Sequence, residues 1–156
     1  MEGKKKENNM QKYLKQVSES PKGQMKHRLV QWGGTLEICR RKQEEIRRLG
    51  RLKEEWDMLM EESDVGIGFQ EVRRKYEEEV ERIQKEMILV LEEKAEMDRR
   101  IDCLLPEERE LLFLRYEKGY GFDYIAMKKN MSRATCFRIL DKAVQLLLDM
   151  EEVETL

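Results

Sequence analysis

Apolar residues along this chain keep two different rhythms. From Thr35 onward, Leu36, Cys39, Ile46, Leu49, Leu52, Trp56 and Leu59 recur at spacings near three, four and seven, while Arg40, Arg41, Lys42, Arg47, Arg48 and Arg51 occupy other faces. That pattern predicts an amphipathic helix. Ser63-Asp64-Val65-Gly66-Ile67-Gly68 then interrupts it with two glycines and an aspartate, the chemistry of a tight reversal. A second, longer helix is predicted from about Phe69 to Leu104. There Val80, Ile83, Met87, Val90, Lys94, Met97, Ile101 and Leu104 form a heptad stripe interrupted once, by Lys94. The short connection between the stripes favours an antiparallel helical hairpin. A coiled coil between two copies would satisfy the same pattern. Ile88, Leu89 and Leu91, apolar outside the stripe, point to more than one partner surface.

After Leu104 the rhythm shortens. Pro106 can open a helix, because its missing N–H is harmless at the first position, and Glu107, Glu108 and Glu110 suit the positive end of the dipole. Leu111, Leu112, Leu114 and Tyr116 line its apolar side, and Gly119 stops it. A second short helix, about Phe122–Lys129, turns Ile125 and Ala126 inward, and Asn130 can adopt the left-handed conformation of a cap. Ser132 is an N-cap for a third helix, Arg133–Leu148, whose buried face is Cys136, Ile139, Leu140, Ala143 and Leu147. Residues 1–34 are polar. A helix around Met10–Val17 would be broken by Ser18–Gly23, which predicts a flexible arm or a loosely docked helix.

The expected fold is therefore all-α: a long antiparallel, coiled-coil-like hairpin followed by a tri-helical helix-turn-helix. The expected organisation is an arm over 1–34, the hairpin over 35–104, the helix-turn-helix over 105–148 and an acidic tail over 149–156.

Composition narrows the function classes. Charged residues make up 41% of the 156 residues and hydrophobic ones 40%. With a mean hydropathy of -0.80 and two prolines, that mixture suits charged-faced helices better than disorder. A net charge of -2 excludes a uniformly basic nucleic-acid binder, so any such role needs a local patch. The widely separated Cys39, Cys103 and Cys136 predict reduced thiols in the cytoplasm rather than a zinc site. His27 has no second His or Cys beside it. No metal site, cofactor, signal peptide or membrane span is expected. Gly66-Ile67-Gly68 lacks the other parts of a phosphate loop, and one histidine supports no catalytic triad, so an enzyme is not expected.

The segments LPEERELLFLRYEKGYGFDYIA and MSRATCFRILDKAVQLL resemble region 4 of the sigma-70 family of bacterial transcription factors and its small relatives. The resemblance is carried by Leu105-Pro106, Arg115-Tyr116, Gly119, Ile125-Ala126 and Ser132-Arg133, over roughly the last third of the chain. With a charged hairpin upstream, the whole is similar to small phage and prophage regulators of the ArpU and RinA type, and to a related phage family of unknown function. Two positions depart from the pattern. Lys129 stands where an apolar residue is usual, leaving a gap for Met127 to cover, and Gly121 stands where a Ser-like N-cap is expected.

The resemblance implies sequence-specific binding of double-stranded DNA by a transcriptional regulator, with the helix from Arg133 in the major groove. Charge supports it: between Lys118 and Lys142 six cations face two acids, a net of about +4 that favours phosphate through counterion release. The candidate contacts are Lys118, Lys128 and Lys142 to phosphate, a backbone clamp at Ser132, and Arg133, Thr135, Phe137 and Arg138 to base edges. RNA polymerase and a homodimer through the hairpin are further expected partners. Two alternatives stay open: a DNA-packaging protein like a terminase small subunit, and a coiled-coil module that docks on RNA polymerase without binding DNA.

Overall fold

The structure is a computed structural model that describes residues 20–61 and 67–154. The described residues form six helices and contain no β-strand. The helices are α1 (Pro21–Gly33), α2 (Thr35–Glu61), α3 (Ile67–Ile101), α4 (Pro106–Leu112, extended by a π-helical turn over Phe113–Glu117), α5 (Phe122–Lys128) and α6 (Arg133–Glu154). The helix expected at Met10–Val17 lies outside the described residues, as does most of the reversal expected at Ser63–Gly68. Ile67 and Gly68 already belong to α3. Among the described residues no helix is long and apolar enough to cross a membrane. The chain divides into two compact units: Thr35–Ala95, and Met1–Gly34 together with Glu96–Leu156.

The first unit is the hairpin. Lys42 Nζ lies 2.8 Å from Glu86 Oε2 and Lys53 Nζ 3.0 Å from Glu77 Oε1. As the α2 number rises the α3 number falls, so the helices run antiparallel. Leu49 and Ile83 are the buried centre of the unit. The expected α3 stripe faces inward, but on α2 Leu36, Trp56 and Leu59 are exposed. Lys42 and Lys53, whose side chains are partly buried, take seam positions through their pairs to Glu86 and Glu77. Outer faces carry same-helix pairs such as Arg40–Glu37 at 2.6 Å and Lys85–Glu81 at 3.3 Å.

The seam pairs give the hairpin a pH dependence. Glu77 is held below its ordinary carboxylate range chiefly by the hydrogen bond from Lys53, and Glu86 chiefly by that from Lys42. A depressed native pKa adds stability that is complete above the unfolded value, near 4.5, and is lost as pH falls through the native one. Helicity measured by circular dichroism near the melting midpoint should therefore fall on acidification through that range. A Lys42→Met/Lys53→Met variant should lose less. An equal loss would mean that the seam pairs do not sense pH.

The second unit joins α1 to the C-terminal helices. Residues 1–34 are expected as a flexible arm or a loosely docked helix, and their described part is a capped helix packed into a core. Ser20 Oγ accepts from Gly23 N at 2.9 Å, and Pro21 occupies the first turn. Met25, Leu29 and Trp32, spaced four and three apart, are buried in one core with Ile101, Leu112, Val144 and Leu147. The Trp32 indole N–H donates to Asp98 Oδ1 at 2.6 Å. Lys22 pairs with Asp141 at 3.1 Å and Arg28 with Glu151 at 2.8 Å, so α1 and α6 lie parallel. At its C-terminal end Gly33 meets the π-helical turn. A Cβ there would stand 2.0 Å from the Tyr116 carbonyl oxygen, so only glycine allows this approach.

The acidic stretch 149–156 is helical over its described part. α6 continues past Leu148 to Glu154, whose carboxylate accepts from the buried Arg100 Nη2 at 2.6 Å. Glu96 accepts from the same nitrogen at 2.8 Å. Charge pairing keeps the last turns of α6 helical despite their acidic composition.

Candidate nucleic-acid interface

The geometry of the C-terminal cluster begins with the way α5 stops. Asn130 has a φ of 53°, the left-handed conformation that asparagine tolerates better than other non-glycine residues. Met131 N donates to Ala126 O at 3.0 Å and Asn130 N to Met127 O at 3.3 Å, the paired bonds of a Schellman turn. Ser132 then opens α6: its Oγ accepts from Thr135 N at 3.1 Å and its carbonyl from Cys136 N at 3.0 Å. Two successive helices are thus joined by a turn whose backbone is satisfied at both ends.

Anchoring comes from below. Ile125 and Ala126 of α5 and Cys136, Leu140, Ala143 and Val144 of α6 are buried, and Ile139 and Met131 pack on them. Burial pushes the Cys136 thiol up, which leaves it a small apolar filler. Lys129 is half-buried and forms an ion pair with Glu110 of α4. Met127, expected to cover the gap left by Lys129, is 67% exposed. The lysine's own stem and the Glu110 pair fill that place instead. Gly121 starts α5 with no side-chain cap.

The predicted contact residues fall into three environments. Arg133, Phe137, Arg138 and Lys142 are exposed on α6, and Phe137 is 51% exposed. Arg133 stands 3.5 Å from Asp123. Ser132 and Thr135 are engaged locally, with hydroxyls 2.8 Å apart, and Arg138 Nη2 donates to Thr135 Oγ1 at 3.3 Å. Lys118 and Lys128 lie further off, above the rings of Phe113 and Tyr120 at 5.5 and 5.6 Å.

Two features of this surface have no simple signal in the chain. Phe137 packs its ring edgewise against Phe122 at 5.9 Å, and Arg115 covers Phe122 at 4.3 Å while donating to Tyr120 O at 3.0 Å. These contacts fix the loop before α5, where Gly119 turns through a φ of 72°. The second feature is Asp141, whose partner Lys22 comes from the opposite end of the sequence. No protein-family model, curated protein or solved structure matches this chain.

Proposed function

We propose that this chain is a non-enzymatic, DNA-binding transcriptional regulator whose α5 and α6 act as a helix-turn-helix, with α6 entering the major groove. The observation that carries the reading is the Ser132-capped start of α6. Its apolar side is anchored in the core while Arg133, Phe137 and Arg138 remain exposed on its first two turns. An arginine at that end of a groove-facing helix can pair with guanine O6 and N7, and Phe137 can cover a thymine methyl. The resemblance of Leu105–Leu148 to sigma-70 region 4, and to the phage and prophage regulators that carry it, points the same way.

Binding to a random-sequence duplex across a salt series tests this. Wild type should show a log–log salt slope that is clearly negative. Arg133→Ala/Arg138→Ala, which removes two cations from this face, should lose about tenfold or more in affinity and show a shallower slope. Absence of salt-sensitive binding by wild type would reject the reading. A protein-interaction module would then lead, favoured by Ile88, Leu89 and Leu91, which are 55%, 61% and 49% exposed on α3. The same residues would serve a homodimer of the regulator, or its contact with RNA polymerase.

A further inference from the structure

Between Arg133 and Lys142, α6 carries one acid among its cations. Asp141 follows Arg138 by three residues and precedes Lys142, and its side chain is 37% exposed. Three residues of helix span about 4.5 Å. A carboxylate left unpaired there would act on DNA held by Arg138 and Lys142 over a distance comparable to the Debye length, about 8 Å at physiological salt. It would oppose the field those residues create. Lys22 removes that charge: its Nζ lies 3.1 and 3.2 Å from the two carboxylate oxygens of Asp141. The other acid at this surface, Asp123 of α5, is already 3.5 Å from Arg133.

We propose that Lys22 is a positioning residue of the DNA interface: it neutralises Asp141, so that α1 completes the cationic face of α6. This rests on the DNA-binding reading above and extends it to a helix outside the helix-turn-helix. It also gives a functional reason for α1 to be docked beside the first half of α6. A second pair between the same helices separates charge from docking. Arg28 and Glu151 are 2.8 Å apart, and their exposures of 34% and 39% resemble the 42% and 37% of Lys22 and Asp141. That pair lies ten residues further along α6, about 15 Å away, beyond the screening length. Both pairs help to dock α1. Only one lies near the proposed phosphate contacts.

Duplex DNA binding at about 0.1 M salt, measured for the full chain and five variants, tests the assignment. Lys22→Met keeps the aliphatic stem and leaves Asp141 bare, and should bind about three- to tenfold more weakly than wild type. Lys22→Met/Asp141→Asn should return to within about twofold of wild type, and Asp141→Asn alone should bind more tightly. Arg28→Met should stay within about twofold of wild type. Wild-type affinity in Lys22→Met overturns the proposal, as does an equal loss in Arg28→Met, which would make docking the cause. If those results came with a normal loss in Arg133→Ala/Arg138→Ala, the DNA reading would stand and this assignment alone would fall. No salt-sensitive binding by wild type would overturn both.

Discussion

Gly33→Ala should lower the unfolding free energy by about 3 kcal/mol, as read from urea denaturation. Glycine to alanine inside a helix ordinarily gains about 1 kcal/mol. At Gly33 the sign reverses, because the new methyl would lie 2.0 Å from Tyr116 O, 2.4 Å from Tyr116 C and 3.0 Å from Glu117 N. All three are backbone atoms, so no side chain can swing aside. Either α1 lifts off or the π-helical turn shifts. Lifting α1 would wet Trp32, and its fluorescence would move to longer wavelength in the native baseline. Gly34→Ala is the matched control, since a methyl there meets nothing closer than Val30 O at 3.4 Å. Wild-type stability in Gly33→Ala would mean that α1 is not seated against Tyr116.

Truncating Ile125 should be comparably severe, about 3 kcal/mol for Ile125→Ala against about 1 for Ile125→Val. Ile125 is fully buried, and α5 is seven residues long. A helix of that length does not persist alone in water, so α5 depends on the apolar residues it inserts into the core. Besides Ile125 only Ala126 is buried along it, and alanine contributes little area. Removing the isoleucine side chain therefore loosens α5 and, with it, the Asn130 turn that sets where α6 begins. DNA affinity should fall together with stability, although Ile125 is itself fully buried. Full affinity in a destabilised Ile125→Ala would detach α5 from binding.

The chain read well where a single local rule decided the outcome. Pro106, Asn130 and Ser132 each have a backbone preference that holds regardless of surroundings, and each sits where that preference is used. The α3 stripe was legible because heptad spacing holds over its length. Legibility failed where the outcome depends on distant partners. Met25, Leu29 and Trp32 lie between lysines, an arginine and a histidine, so a short polar-looking segment hides three core residues. The extension of α6 to Glu154 depends on Arg100, more than fifty residues earlier. Met127 is expected to cover the gap at Lys129 because hydropathy ranks the methionine as the inward residue. The Glu110 pair and a buried aliphatic stem reverse that order. Of the outward face of α6, the exposed arginines could be read from helical phase. The Lys22 pairing of Asp141 could not.

Trp32 and Asp98 meet although they stand 66 positions apart in the chain, and this has a consequence for the order of events during synthesis. α1 leaves the ribosome first, yet the residues it packs against on α4 and α6 are made last. At about 5–20 residues per second, α1 waits several seconds for its partners. The hairpin between them is built from sequence-local contacts and can form during that delay. An antiparallel hairpin also returns the chain close to its starting point, which shortens the loop to be closed when α1 finally docks. Substitutions in the Lys42–Glu86 and Lys53–Glu77 seam should therefore slow the burial of Trp32 on refolding, though neither pair touches it. Residues 35–95 act on the second unit through the clock.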